Sequence, residues 1–404
     1  MSGSPEVSWS DPLAEFTSGF AAELDDLGYS PRGAEAQLRL MRQLSIWLAG
    51  QGYVVADLTV EVVERYVAAR RSRHSNMRSV RAVAPLLEFL RGVGALPMPL
   101  DAAPAGPVEV LAARFGEYLR MQRGLAPATV LSYTSQAAIF LGWRIDQRGA
   151  QWELLTAKEI AEFVAVWANG QRPRSLQVGI NALRALLRWL SAEGQVPVGL
   201  AESIGPVAAP AMTSVPKALA DNQIADLFAG LPPDGPVRLR NEAVLLLLWR
   251  MGLRAGEVAA LRLDDIDWRN GVILLQGKGD RHEQMPLPAD VGASLAAYVK
   301  NGRPAGGGHR HVFLGLDAPH RPIGTGCVSS VVARAAAGAG IDGPVHAHRL
   351  RHTAACQVLA GGGGLVETGQ LLRHASTSAT AIYAKADITT LAALARPWPN
   401  AGAR

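Results

Sequence analysis

A chain of 404 residues, 49% of them hydrophobic, has room for two or three domains with ordinary cores, yet it contains no run of the roughly 18 apolar residues that a membrane span needs. The formal net charge of +5 lies wholly in the C-terminal part: residues 211–404 carry 20 basic and 15 acidic side chains, against 10 and 11 in residues 1–100 and 10 and 9 in residues 101–210. That bias suits a polyanionic partner without identifying one. The two cysteines, Cys327 and Cys356, stand among apolar or small residues, which excludes a disulfide framework and reads as buried thiols in a reducing compartment. The first residues, MSGSPEVSWSDPLAEF, lack a basic stretch followed by an apolar one, so no signal peptide is expected and the location read from them is cytoplasmic.

Two copies of one pattern come first. One starts FAAELDDLGYSP (Phe20, Gly28, Pro31) and the other FGEYLRMQRGLAP (Phe115, Gly124, Pro127). Trp47 matches Trp143, Leu58-Thr59 matches Leu155-Thr156, and the copies close as LLEFLRGVGALP at Pro97 and LLRWLSAEGQVP at Pro197. A period near 100 residues is too long for a solenoid unit and reads as a duplicated domain. Apolar residues at helical spacing predict helices over Leu38–Leu48, Val60–Ala69 and Val80–Leu90, then Val130–Leu141, Ile160–Trp167 and Leu176–Leu190. Pro- and Ala-rich linkers without periodicity run from Met98 to Pro107 and from Ile204 to Pro216, which divides the chain into 1–100, 105–205 and 215–404.

The third part is predicted to begin with helices Asp221–Phe228, Arg240–Met251 and Ala255–Leu261. After a turn at Arg269-Asn270-Gly271, two short strands follow, Val272–Gln276 and Gln284–Leu287. Helices resume at Val291–Val299, Val328–Ala337, His348–Ala360, Val366–Leu372 and Ala379–Ala384, with a last one over Ile388–Leu394. The fold class expected is mainly α, with two helical domains ahead of an α+β domain that holds a small antiparallel sheet.

Six polar residues stand out in this part: Arg254 in GLRAGEV, Lys278 in GKGDRHE, His348 and Arg351 in HRLRH, His374 in LLRHAS and Tyr383 in TAIYAK. Cleaving a phosphodiester with a side chain requires a nucleophile, positive charge on the non-bridging oxygens, a proton for the leaving oxygen and a route for the nucleophile's own proton. Arginine suits the second task because its planar fork donates two bonds to phosphate and stays charged. His348 and Arg351, three residues apart, project from one helix face. Each residue alone has a plainer reading: a solvated charge for Arg254, turn chemistry for Lys278, a half-buried core ring for Tyr383. His348 and His352 have the spacing of a metal pair, but no glutamate follows the first and no third ligand is evident. Their joint order and context favour a single phosphate site.

In that order and context the residues resemble the active-site signature of the tyrosine recombinases, the phage-integrase family, over roughly residues 215–395. MGLRAGEVAALRLDDID resembles the first arginine box, with Arg254 and a supporting Glu257; ILLQGKGDRHEQMPLP the β-hairpin with Lys278; HAHRLRHTAA the H-x-x-R box with His348 and Arg351; and LLRHASTSATAIYAK the last box, with His374 and the nucleophile Tyr383. The second helical copy resembles the family's SAM-like core-binding domain, and by the repeat the first copy is a further one. The resemblance implies a site-specific DNA recombinase that cuts and rejoins DNA through a 3′-phosphotyrosyl link, without metal, ATP or other cofactor, as a homotetramer or with co-acting recombinases on double-stranded sites. Arg281, His282, Arg349, Arg373, Arg172 and Arg174 are candidates for DNA contact. Arg373 stands where the family usually has glycine, and it either adds a phosphate contact or lies exposed. A type IB topoisomerase-like enzyme and a non-catalytic DNA-binding protein on the same fold are the alternatives.

Overall fold

The structure is a computed structural model that describes residues 11–72, 79–97, 106–205, 218–276, 282–305, 308–374 and 380–386, apart from the side chains of Arg174, Lys385 and Ala386. The chain divides into two compact units, Pro97–Thr213 and a discontinuous one that joins Met1–Leu96 to Ser214–Arg404. Among the described residues no helix is long and apolar enough to cross a membrane.

Each half of the repeat is four helices. The first comprises α1 (Thr17–Asp26), α2 (Pro31–Gln51), α3 (Val60–Arg71) and α4 (Val80–Gly92); the second comprises α5 (Pro107–Met121), α6 (Pro127–Arg148), α7 (Ala157–Ala168) and α8 (Pro173–Ala192). Equivalent residues pack alike. Trp47 lies 5.6 Å from Tyr66 between ring centroids, and Trp143 lies 5.3 Å from Phe163. Phe20 meets Phe89 at 5.4 Å, and Phe115 meets Trp189 at 5.5 Å. Thr59 and Thr156 cap α3 and α7, with Val62 and Glu159 backbone N–H groups donating to their hydroxyls at 3.4 and 3.3 Å. Gly94 and Gly194 make the same left-handed turn, at φ 75° and 69°.

Helices α1 and α5 were not in the predicted set, and α6 runs seven residues beyond the predicted Leu141. The cause in α6 is Arg144, which breaks the apolar pattern yet is buried. Its guanidinium pairs with Glu159 at 3.4 Å and donates to the Gly149 and Gln151 carbonyls at 2.9 and 3.2 Å.

The C-terminal part builds its own core from α9 (Asp221–Ala229), α10 (Gly235–Arg250), α11 (Ala255–Ala260), α12 (Ala289–Asn301), α13 (Thr325–Gly338) and α14 (Ala347–Ala360). Beside it lies a three-stranded antiparallel sheet, β1 (Ile266–Asp267), β2 (Val272–Gln276) and β3 (His282–Pro286), in the order β1-β2-β3. Strand β2 has the predicted bounds, β3 starts two residues and ends one residue earlier than the predicted Gln284–Leu287, and β1 is an addition, too short to show a period. Asp267 caps the predicted turn, accepting from the Arg269 and Asn270 backbone N–H groups, both at 3.0 Å. Helix α10 begins five residues before its predicted start, with Pro236 in its first turn and Leu239 packed against the core. Helix α15 (Leu365–Leu372) follows, and where the helix Ala379–Ala384 was predicted the described residues Ala381–Ala386 form a 3₁₀ stretch. The predicted Ile388–Leu394 helix lies outside the described residues. Cys327 and Cys356 are free thiols, partly rather than fully buried.

Within the discontinuous unit, the first helical half touches the C-terminal part. Arg321 forms an ion pair with Glu88, and a Cβ added at Gly28 would come within 3.1 Å of the His320 ring.

Candidate active site

Helix α14 carries the centre of the site. His348, Arg351, His352, Ala355 and Leu359 recur at helical spacing and form one stripe. The opposite side anchors the helix: Leu350 enters the main core, and the buried Thr353 hydroxyl accepts from the Leu219 backbone N–H at 2.9 Å. Trp249 on α10 donates to Gln357 at 2.6 Å, which fixes the far end. The helix is therefore held on one face so that the other can present chemistry.

Arg351 is 2% exposed. One Nη donates to the Gly252 carbonyl and the other to the Leu372 carbonyl. Gly252, in the left-handed region at φ 60°, follows α10, and Leu372 ends α15. One guanidinium thus ties three distant segments together, satisfying carbonyls that helix ends leave without partners. Burial, then the nearby Arg254, lowers its pKa to about 10, so it remains charged at neutral pH.

Arg254 begins α11 and is half exposed. Glu257, three residues on, accepts from its backbone N–H and from its Nη1, both at 2.7 Å. The same carboxylate holds Arg373 Nη2 at 2.6 Å. Arg373 is the left-handed C-cap of α15, with φ 51° and ψ 54°, a conformation that costs a non-glycine residue about 1 kcal/mol or more. Its side chain is only 7% exposed and also lies 3.8 Å from Glu283 on β3. The alternative of an exposed Arg373 is therefore set aside: the glycine-to-arginine departure places a buried cation between the first box and the hairpin.

Tyr383 is 1% exposed and packs with Ala355, Leu359 and Leu372. Its hydroxyl lies 2.6 Å from Nδ1 of His352. Burial pushes its pKa up to about 12, with Arg351 opposing. The His374 ring stacks near it, centroids 6.4 Å apart, and its Nδ1 meets the buried Thr380 hydroxyl at 2.8 Å. His348, exposed, sets its ring edge-on to His352 at 4.3 Å. Burial first, and the surrounding cations second, lower both His352 and His374 to about 4.

Clustered arginines, a buried tyrosine and neutral histidines on one patch can bind an anion and deliver a hydroxyl to it. Residues 217–389 match the model of the phage integrase family, and residues 112–194 match its N-terminal SAM-like domain. The y4rA protein of Sinorhizobium fredii is 34% identical over 393 residues, covering 96% of this chain and 95% of its own. Tyrosine recombinase XerD of Mycobacterium tuberculosis is 31% identical over 303 residues, covering 71% of this chain and 96% of XerD. The chain belongs to the phage integrase family of tyrosine recombinases. It is a site-specific recombinase/integrase that acts on DNA. The fold is shared with XerH bound to palindromic difH substrate (TM-score 0.58, 18% identity, 83% of this chain and 94% of that one). It is also shared with a lambda integrase tetramer bound to a Holliday junction (TM-score 0.53, 18% identity, 76% and 87%).

Of the recombinase residues expected from the sequence, the structure gathers Arg254, Glu257, His348, Arg351, His374 and Tyr383 on this patch. Lys278 and Arg281 fall between β2 and β3, outside the described residues, as does the side chain of Arg174. His282 is exposed at the start of β3, Arg349 is half-buried on α14 beside His348, and Arg172 is exposed at the start of α8 in the other unit. His352 was read only as a possible metal partner of His348. Its position, one residue after a buried arginine and on the same stripe, was the available signal.

The lowered histidines make stability depend on pH. His352 and His374 are neutral when folded and have an ordinary value near 6.5 when unfolded, so the unfolded chain binds more protons as the pH falls below that. Their contribution is complete above about pH 6.5 and is lost on going down towards about pH 4. The melting temperature of the C-terminal part is expected to fall over that window, and to fall less steeply in a His374→Asn variant. Equal slopes in the two proteins would show that His374 is not held neutral.

Proposed function

We propose that Tyr383 attacks the scissile phosphate, giving a 3′-phosphotyrosyl link and a free 5′-hydroxyl. The observation that carries this is the convergence of Arg254, Arg351, His374 and the Tyr383 hydroxyl on one patch. Arg254, exposed and steered by Glu257, is placed to meet a non-bridging oxygen; Arg351 supplies buried positive charge behind it. When the Thr380 hydroxyl donates to His374 Nδ1, the other ring nitrogen carries its proton and can donate to the phosphate. Lys278, in the connection between β2 and β3, is the general acid for the 5′-oxygen. His348 assists proton movement at the tyrosine. The bond energy is kept in the phosphotyrosine, so neither ATP nor a metal is required.

The 5′-hydroxyl of a partner strand then reverses the reaction. XerH is bound to its difH substrate, which supports a double-stranded DNA site, and a lambda integrase tetramer is bound to a Holliday junction, which supports a tetramer on two such sites. The organisation proposed is 1–100, 105–205 and 215–404, with the first part a further core-binding-type domain. The matched helices and ring pairs of the two copies support that reading, and the Glu88–Arg321 pair favours protein contact over DNA contact for the first copy. Arg281, His282, Arg349, Arg172 and Arg174 are proposed to contact DNA, while Arg373 acts through Glu257.

Two duplexes carrying the junction sequence at which the chain recombines DNA separate the alternatives. Exchange of strands between them is the expected result. Relaxation of supercoiled DNA without exchange would support a topoisomerase-like enzyme, and binding without cleavage a non-catalytic protein.

A further inference from the structure

We infer that His352 is the group that takes the hydroxyl proton of Tyr383 as the tyrosine attacks DNA. This rests on the reading of Tyr383 as the nucleophile, and it gives a catalytic role to a histidine outside the six signature positions. The geometry is direct: the tyrosine oxygen and His352 Nδ1 are 2.6 Å apart, within the reach a general base needs. Helix α14 fixes the imidazole, one residue from the clamped Arg351 and four from His348. A partly buried, neutral ring is an acceptor ready for a proton.

Burial first, and then the groups that face His352, keep it neutral until DNA arrives. Those groups are Arg351 and His348 on its own helix, His374 after α15, and Tyr383, which Cys356 also neighbours. The cationic neighbour opposes a positive charge on the imidazole. An entering phosphate is anionic and offsets that opposition, so the base strengthens when substrate is in place. In the step itself the Tyr383 oxygen forms its bond to phosphorus while its proton passes to His352 Nδ1. The bond from phosphorus to the 5′-oxygen breaks, and that oxygen takes a proton from Lys278. In the rejoining step the same proton returns from His352 to the departing tyrosine oxygen. His348, exposed and edge-on at 4.3 Å, lies between His352 and solvent and can equilibrate the proton with water.

The test is the single-turnover rate of covalent adduct formation by the full-length protein on a nicked duplex carrying the junction sequence. His352→Asn is expected to keep DNA binding and to slow adduct formation by roughly 10²–10⁴-fold. His352→Ala is expected to be slowed likewise and to recover partly with added imidazole, in proportion to its neutral form. Replacing the 5′-oxygen by sulfur, which leaves without a proton, is expected to rescue Lys278→Ala but not His352→Asn. An adduct rate in His352→Asn within about threefold of the parent, or above it, overturns the inference and assigns the bond to holding the tyrosine in reserve. So does a loss that imidazole fails to restore in a His352→Ala protein that still binds DNA, or a loss that the sulfur substrate cures. If the parent protein itself forms no adduct, the reading of Tyr383 fails as well, which separates the two claims.

Discussion

Replacing Arg351 by alanine is expected to reduce DNA cleavage by at least about 10²–10³-fold and to destabilise the C-terminal part by roughly 2–5 kcal/mol. The first effect follows from removing a fixed positive charge from beside the reacting phosphate. The second follows from what the guanidinium does without DNA: it is 2% exposed and holds the Gly252 and Leu372 carbonyls. Its loss leaves two buried acceptors unsatisfied, each costing about 1–3 kcal/mol. Arg351→Lys is expected to restore little, because one ammonium on a longer stem cannot span both carbonyls in the plane that the fork provides. Arg254→Ala is the contrast. That side chain is 47% exposed, so its removal is expected to lower cleavage to a similar degree with little change in unfolding. Urea unfolding and single-turnover cleavage of the two variants side by side check this. An Arg351→Ala protein as stable as the parent would show that the clamp contributes nothing to the fold.

The difference between the two arginines bears on what could be read from residues alone. Both occur in short boxes with strong local context, and their chemistry was legible in the types and order of the side chains. Their division of labour was not, since burial depends on where Gly252 and Leu372 come to lie, 99 and 21 residues from Arg351. Long periodic helices such as α2 and α8 were legible from their apolar spacing, and the duplication from matched Trp, Thr and Pro positions. Helix α6 was cut short because a buried, paired Arg144 looks polar in sequence. The strand β1 was invisible because two residues carry no period.

The surroundings of His352 and Arg373 were not legible for a related reason. A second histidine four residues after the first invites a metal reading, and only the return of Tyr383 onto α14 shows its partner. Arg373 stands in a left-handed C-cap where glycine is the economical choice, so exposure was a natural alternative. Its burial against Glu257, the residue that also holds Arg254, links the first box to Glu283 on β3 beside the lysine connection. In this chain Arg254 and strand β3 are therefore linked through Glu257 and Arg373.

Tyr383→Phe is expected to abolish covalent attachment to DNA, a loss of about 10⁴-fold or more, while leaving the fold almost unchanged. Phenylalanine keeps the ring packed with Ala355, Leu359 and Leu372 and gives up only the bond to His352, worth about 1 kcal/mol. A variant that binds DNA, melts close to the parent and makes no adduct isolates the hydroxyl as the reacting group. The most direct measurement is to trap the parent protein on a nicked duplex, digest the adduct and identify the modified peptide by mass spectrometry. The account predicts a 3′-phosphate joined to Tyr383 and no adduct from Tyr383→Phe. Attachment at another residue, or an adduct that persists in Tyr383→Phe, would contradict it.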